Sequence, residues 1–202
     1  MKKIVLLLFI PLLFTANSYS QTAKEYCAQG LEKSKLEDYL GAITDYTKAI
    51  EIDPQFELAY CFRGNAKSKL KDFMGTIIDY TKAIEIDPTD KSAYYFRGEA
   101  KSEMHDYIGA IADCTTYIEF KPNSVLAYYL RGSAKANLHD YTGAIADCTK
   151  LVEIEPKSGQ WYYTRGLLKN ELGQKESGCL DLSKAGELGY SEAYNEIKEL
   201  CK

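Results

Sequence analysis

Proline, histidine, tryptophan and long apolar stretches are all scarce in this chain of 202 residues. It has five prolines, two histidines and one tryptophan, and its formal charge at pH 7 is −4. No run of Lys or Arg could neutralise a phosphate backbone, which argues against nucleic acid as a partner. The apolar run Ile4 to Phe14 has 11 residues, whereas a membrane-spanning helix needs about 20. We therefore expect no membrane insertion of the mature chain.

Sequence signatures of catalysis are missing as well. The chain contains no nucleophile elbow, no phosphate-binding loop and no acid–base group centred on histidine. No pair of its cysteines has the spacing of metal ligands, and an internal repeat explains His105 and His139, which lie 34 residues apart, better than zinc binding does. We expect a protein that is not an enzyme and that needs neither a cofactor nor a metal.

The first twenty residues have the composition of a secretory signal. Lys2 and Lys3 precede the apolar run, and the small residues Ser18 and Ser20 favour cleavage after Ser20. The apolar run is too short to anchor the chain, so it targets the protein for export. We expect a soluble bacterial product that begins at Gln21 and resides in the periplasm or outside the cell.

The prolines outside this signal define an internal repeat. Pro54, Pro88, Pro122 and Pro156 follow one another at intervals of 34 residues, and the surrounding residues recur in the same register. This period divides the chain into repeats 23–56, 57–90, 91–124, 125–158 and 159–192, followed by a tail at 193–202. The last repeat has no closing proline and contains additional glycines, so we expect it to be degenerate.

Each repeat has the pattern of two amphipathic helices. Apolar residues recur at intervals of three and four, and a break such as Lys71-Asp72 separates the two halves. Proline ends the second helix because it lacks a backbone N–H group. A single hairpin of this kind cannot bury its apolar face alone, so the hairpins are expected to stack on one another.

These residues resemble the tetratricopeptide repeat family over essentially the whole mature chain. The family's small residues at the eighth and twentieth positions occur in all five repeats, as Gly30, Gly64, Gly98, Gly132 and Gly166 and as Ala42, Thr76, Ala110, Ala144 and Gly178. At the twenty-seventh position, Tyr117 and Leu151 depart from the small residues of the other repeats. The resemblance implies an all-α, right-handed α-solenoid of helix-turn-helix hairpins that ends in a capping helix.

Arginine and aspartate also recur in register. Arg occupies the seventh position of repeats two to five, and Asp occupies the twenty-third position of every repeat. Repeat one has Gln29 instead of Arg and has no repeat before it, which favours structural pairing across each junction over ligand binding. The predicted ion pairs are Asp45 with Arg63, Asp79 with Arg97, Asp113 with Arg131, and Asp147 with Arg165.

The six cysteines divide into two groups by position. Cys27 and Cys61 share one repeat position, and Cys114 and Cys148 share another, so the members of each pair lie one helix spacing apart, about 8–10 Å. A disulfide requires Cα atoms within about 7 Å, which favours free thiols at these four sites. Cys179 and Cys201 lie in the last hairpin and in the tail that should fold back over it. We predict a disulfide between these two.

The resemblance further implies a concave groove lined by the first helix of each hairpin. Carried over by position, the fifth residue of repeats two to five and the ninth residue of repeats two to four are the candidates for contact with a partner. They are Cys61, Asn65, Tyr95, Glu99, Tyr129, Ser133 and Tyr163. The tyrosines one residue earlier, Tyr60, Tyr94, Tyr128 and Tyr162, are expected in the core. The Lys, Asn and Arg clamp by which some family members bind chaperone tails is absent, since only Asn65 fits it.

Three functions remain open at this stage. The leading hypothesis is a monomeric adapter in the cell envelope that binds an unidentified peptide or protein segment in the groove. The second is a structural component that self-associates through the ends of the repeat stack. The third is a thiol-based redox protein or hydrolase that uses Cys114 or Cys148, and it requires a thiol that is accessible in the native state.

Overall fold

The structure, a computed structural model, describes residues 21–201, so the predicted signal at 1–20 and Lys202 lie outside the described residues. This part of the chain contains eleven α-helices and no β-strand. The first helices of the five hairpins are α1 (Ala23–Lys35), α3 (Glu57–Lys69), α5 (Ser92–Glu103), α7 (Val125–Asn137) and α9 (Gly159–Glu171). The second helices are α2 (Tyr39–Ile52), α4 (Phe73–Ile86), α6 (Tyr107–Phe120), α8 (Tyr141–Ile154) and α10 (Lys175–Glu187). Helix α11 (Ala193–Leu200) follows them.

A short turn of constant geometry joins the two helices of each hairpin. Its central residue has a positive φ, near 60° at Glu37, Lys71, His105 and His139 and 78° at Gly173. In the first four hairpins the aspartate that follows this residue accepts a hydrogen bond from the glycine N–H three residues later, as in Asp72 and Gly75 at 2.9 Å. Such a bond satisfies one of the free N–H groups at the start of a helix. The break in the apolar pattern is thus a helix stop followed directly by a helix start.

Small residues let the two helices of a hairpin approach closely. In the fifth hairpin, a Cβ atom added to Gly166 would lie 2.9 Å from the carbonyl oxygen of Gly178, closer than a side chain tolerates. Leu151, one of the residues that departs from the family pattern, is fully buried and packs with Ile118, Tyr128 and Trp161 at the junction between hairpins. The larger side chain therefore fills the core there.

The hairpins stack consecutively, because each second helix packs against the first helix of the next repeat. Buried alanines such as Ala59, Ala93 and Ala127 lie at these junctions with no more than 1% of their surface exposed. Helix α11 packs on α10 at the end of the stack. The all-α solenoid of hairpins predicted from the sequence is confirmed. Within residues 21–201, no helix combines the length and the apolar character needed to span a membrane.

Candidate binding groove and its ion-pair framework

The recurrent arginines pair within their own repeats. Arg63 donates hydrogen bonds from Nε and Nη2 to the two carboxylate oxygens of Asp79, at 3.0 and 2.6 Å. The same two-pronged contact recurs in the next three repeats, between Arg97 and Asp113, Arg131 and Asp147, and Arg165 and Asp181. The predicted pairing across the junctions, Asp45 with Arg63, Asp79 with Arg97, Asp113 with Arg131 and Asp147 with Arg165, is wrong. The seventh position of a repeat, on its first helix, faces the twenty-third position of the same repeat, on its second helix.

A recurrent lysine completes each of these ion pairs. Lys67 lies one helical turn after Arg63, and its Nζ is 2.8 Å from Asp79 Oδ2. Lys101, Lys135 and Lys169 repeat this contact with Asp113, Asp147 and Asp181. In repeat one, which has no arginine, Lys33 alone pairs with Asp45 at 2.6 Å. The sequence reasoning missed these lysines, although their interval of 34 residues was a visible signal.

Threonine, not aspartate, is the partner of arginine across the junctions. Arg63 Nη1 donates to Thr47 Oγ1 of the preceding repeat at 3.1 Å, and the later arginines do the same to Thr81, Thr115 and Thr149. In repeat one this position is occupied by Gln29. Each arginine therefore holds its own hairpin closed and joins it to the previous one.

In the last of these clusters, electrostatics favour the charged forms of both Arg165 and Asp181. Burial opposes ionisation of Asp181, but hydrogen bonds from Arg165 and Lys169 outweigh it and lower the pKa of the carboxyl group. The hydrogen bond to Asp181 likewise raises the pKa of Arg165, against the effect of burial. These recurrent charges are therefore structural partners of one another and lie between helices.

Three of the seven predicted groove residues share one pocket. Tyr129, Ser133 and Tyr163 line a cavity of about 250 Å³ between α7 and α9. Tyr129 is 49% exposed, so it is available to a partner. The sequence reasoning did not identify four further residues that line this cavity, Gln160, Thr164, Leu168 and Tyr190. Gln160 is the second residue of repeat five, whereas Tyr190 lies in the link before α11, at the position where the first four repeats have proline.

The other four predicted groove residues lie in repeats two and three, outside this pocket. Tyr95 is half-buried against Phe96 and Tyr117, with ring centroids 5.3 Å apart in both cases, and burial raises the pKa of its hydroxyl to about 12. Glu99 is exposed on the same helix, as is Asn65 on α3. Partial loss of hydration beside neighbouring side chains, and then the nearby Glu103 carboxylate, raise the pKa of Glu99.

The tyrosines one residue before the predicted groove tyrosines pack at the core and against the recurrent arginines. Tyr60 and Tyr128 are buried as expected, but the expectation is wrong for Tyr94 and Tyr162, which are partly exposed. The ring of each of these four tyrosines lies 5.4–5.6 Å from the guanidinium carbon of the arginine three residues later. Such contacts are attractive. The two sets of adjacent tyrosines therefore have different surroundings.

Two cysteines are bonded and four are free. The sulfur atoms of Cys179 and Cys201 lie 1.99 Å apart and their Cα atoms 5.8 Å apart, so the predicted disulfide ties α11 to the last hairpin. Cys27, Cys114 and Cys148 are buried free thiols. Burial raises the pKa of Cys114 and of Cys148 to about 12. Neither thiol forms a nucleophilic thiolate near neutral pH.

One group of side chains in the described residues has the arrangement of metal ligands. Glu57, Cys61 and Asp90 bring their ligand atoms within 4.8 Å of one another. Each has a partner inside the protein, since the Cys61 thiol donates to Glu57 Oε1 at 2.8 Å and Asp90 Oδ1 accepts from the Ser92 N–H at 2.9 Å. Burial, followed by the hydrogen bond to Glu57, raises the pKa of the Cys61 thiol. These contacts account for the group without an ion.

The stacked hairpins and the pocket on their first helices define a helical-repeat scaffold. The sequence profile of the tetratricopeptide repeat family matches residues 23–56, 58–90 and 125–158. This chain belongs to the tetratricopeptide repeat family, whose members bind peptides or proteins. No curated protein sequence matches the chain significantly.

Solved structures of similar fold cover nearly the whole chain. The crystal structure of a MamA protein superposes with a TM-score of 0.78 at 22% identity, over 88% of this chain and 94% of that one. MamA from Desulfovibrio magneticus RS-1 gives a TM-score of 0.77 at 18% identity, over 84% and 96% of the two chains. YrrB, described as a TPR protein with an unusual peptide-binding site, gives 0.79 at 20% identity, over 87% and 92%. These likenesses concern the fold.

Proposed function

We propose that this protein is a non-enzymatic scaffold of the bacterial cell envelope that holds an extended peptide or protein segment in its concave groove. The observation that carries the proposal is the pocket between α7 and α9. It is lined by Tyr129, Ser133 and Tyr163, which the family positions assign to partner contact. The peptide-binding site of YrrB, a protein of the same fold, supports the same class of ligand.

The ion-pair clusters support a binding role for the groove by keeping it rigid. Every first helix from α3 to α9 is tied to its second helix through a buried aspartate. A rigid surface loses little conformational entropy when a ligand binds to it. Tyrosine suits such a surface because it combines a large contact area with a hydroxyl group and few rotatable bonds. The tyrosines of the groove can therefore bind a segment without rearrangement of the stack.

Export is proposed from the predicted signal at the N-terminus. The disulfide between Cys179 and Cys201 supports this assignment, because disulfides persist in oxidising compartments such as the periplasm. Fractionation of cells that express the full chain tests it. We expect the processed protein in the periplasmic or secreted fraction, and an unprocessed chain in the cytoplasm would contradict the proposal.

Features at both ends of the stack argue against self-association through the ends. At the N-terminal end, exposed Glu25 and Glu32 occupy the positions at which Ala59 and Ala66 are fully buried in the next repeat. A neighbouring stack would have to desolvate these two carboxylates, which costs free energy. At the other end, α11 packs on the last hairpin. We therefore favour a monomer, and sedimentation at several concentrations should give one constant mass. A mass that rises with concentration would favour the structural alternative.

Affinity capture from a cell-envelope extract tests the groove. We compare the wild-type protein with Tyr129→Ala, because Tyr129 is half-exposed and lines the pocket, whereas Tyr95 also supports the core through Tyr117. Phe120→Ala is the matched control, since Phe120 is an exposed aromatic residue that does not line the pocket. We expect a partner that is lost only in Tyr129→Ala. If both variants, shown by circular dichroism to be folded, retain every partner of the wild type, the groove is not the binding surface.

A further inference from the structure

The pocket between α7 and α9 has uncharged walls. Its volume of about 250 Å³ exceeds the roughly 150 Å³ of an engineered apolar cavity that accepts a benzene ring. The space therefore fits one aromatic or branched aliphatic side chain. Leu151 and Leu168 contribute apolar surface, and none of the residues that line the pocket is charged. A charged group placed inside would lose its hydration without gaining an ionic partner, so the occupant is apolar.

Four tyrosines line this pocket: Tyr128, Tyr129, Tyr163 and Tyr190. The ring of Tyr163 lies 4.8 Å from that of Tyr190, and the ring of Tyr129 lies 5.8 Å from that of Trp161. Both pairs are tilted, and an inserted aromatic ring finds faces and edges within the distances at which rings attract one another. Ser133 and Gln160 add hydrogen-bonding groups to the lining. These groups suit the backbone of a bound segment.

Negative charge lies next to the pocket without a cation of its own. The Tyr163 hydroxyl donates to Glu196 Oε1 at 3.5 Å, and Glu192 precedes Glu196 by about one helical turn. Neither glutamate forms an ion pair in the described part of the chain. The basic groups of the facing helices are already bonded to buried aspartates: Arg131 and Lys135 to Asp147, and Arg165 and Lys169 to Asp181. Burial and then Glu196 raise the pKa of the Tyr163 hydroxyl, as expected beside an unpaired carboxylate.

We propose that this pocket recognises a peptide segment with an apolar side chain next to a basic one. The apolar side chain, aromatic in the tightest ligands, enters between Tyr129 and Tyr163. The Lys or Arg side chain beside it lies against Glu192 and Glu196. This inference rests on the proposed groove function and specifies the chemistry of its ligand.

Fluorescence anisotropy with short, acetylated, labelled peptides tests the proposal on the disulfide-bonded protein. The probes share a Gly-Ser backbone and differ at two central positions, which are Phe-Lys, Phe-Gln, Phe-Glu or Ala-Lys. We expect Phe-Lys to bind about fivefold more tightly than Phe-Glu at low salt, because two partly exposed charge contacts are exchanged for repulsion. The ratio should shrink at high salt, where charges are screened. Ala-Lys should bind more weakly than Phe-Gln because it leaves the pocket empty.

Matched variants test separately which residues cause the preference for a basic side chain and which bind the apolar side chain. The double substitution Glu192→Gln/Glu196→Gln should bring Phe-Lys and Phe-Glu to similar affinity while leaving Phe-Gln unchanged. Glu119→Gln, an exposed glutamate on α6, should change nothing. Tyr129→Ala should weaken all three Phe probes. Equal binding of Phe-Lys and Phe-Glu by the wild type, or no binding of any probe, overturns the inference.

The affinity-capture experiment distinguishes failure of the proposed ligand chemistry from failure of the proposed groove function. A captured partner that depends on Tyr129, combined with probes that show no preference for a basic residue, removes the ligand chemistry and keeps the groove function. A partner list that is unchanged in Tyr129→Ala removes the groove function, and the ligand chemistry falls with it.

Discussion

At the scale of single residues, the aspartate at the twenty-third position of a repeat holds the two helices of its hairpin together through ion pairs. Asp79 has 1% of its side chain exposed and accepts from both Arg63 and Lys67. Two cations share this one buried anion. If Asp79 is lost, the positive charges of Arg63 and Lys67 remain without a negative partner. Loss of one partner from a buried ion pair costs about 3–5 kcal/mol, because the remaining charges stay desolvated.

A double-mutant cycle distinguishes pairing within the repeat from pairing across the junction. We expect Arg97→Ala and Asp113→Ala to couple by roughly 1–3 kcal/mol in the free energy of unfolding, because the two side chains share two hydrogen bonds. Arg97→Ala and Asp79→Ala should be nearly additive. Urea unfolding of the single and double variants measures both couplings. A larger coupling between Arg97 and Asp79 would contradict the observed register.

The lowered pKa of Asp181 predicts how acid affects stability. Its folded-state pKa lies below the ordinary 3.8, so the folded protein releases this proton more readily than the unfolded chain does. The stabilisation is therefore fully present above the unfolded value and is lost as pH falls through the lower, folded value. The difference in unfolding free energy between wild type and Asp181→Asn should shrink as the pH falls below about 5, through the ordinary value and on through the lower folded one. A difference that does not change with pH would show that the charge of Asp181 contributes nothing.

At the scale of helices, the last element differs in kind from the others. Helices α1 to α10 form hairpins, whereas α11 has eight residues and lies outside the repeat. Isolated helices of this length are marginal in water. The disulfide between Cys179 and Cys201 joins residues that are 22 positions apart and holds α11 on α10. It also restricts the unfolded state.

Removal of this disulfide should destabilise the end of the stack first. We expect the double substitution Cys179→Ser/Cys201→Ser to lower the unfolding free energy by about 3 kcal/mol. Hydrogen exchange should show the amides of α11 losing protection before those of α3 to α6. A reductant should lower the melting temperature of the wild type and leave that of the double variant unchanged. If the reductant affects both proteins equally, the bridge is not the cause.

At the scale of the whole molecule, stability is shared along a line of neighbouring contacts. Each hairpin touches the ones before and after it, so the stack opens more easily at its ends than in its middle. The free thiols Cys114 and Cys148 are buried in the middle repeats. They are therefore natural probes of opening.

Thiol labelling of the native protein should follow this order of stability. Cys114 should react only at the rate at which the stack opens, because burial raises the pKa of its thiol to about 12 and keeps reagents away. Cys148 lines the pocket, and its thiol should react slowly because burial raises its pKa to about 12. Mass spectrometry after brief exposure to an alkylating reagent locates the modified residues, and the same exposure in urea is the control for reactivity. Rapid modification of Cys114 or Cys148 in the absence of urea would favour the thiol-enzyme alternative.

The sequence by itself determined the repeat, and with it the class of fold. The interval between Pro54 and Pro88 is that of one hairpin, and such a period has few structural solutions, because each amphipathic helix must bury its apolar face against a neighbour. The position of Tyr129 on a first helix likewise followed from periodicity. These properties are local, since they depend on residues a few positions apart on one helix.

Only the tertiary structure decided which side chains meet between helices. The spacing of Arg97 is compatible with both Asp79 and Asp113, since both lie one helix away, and the rotation of packed helices selects Asp113. Tyr190 reaches the pocket from the link before α11, although its position in the earlier repeats is occupied by proline. Such contacts depend on the angle and distance at which helices pack, and these are set by the summed shapes of side chains far apart in the sequence.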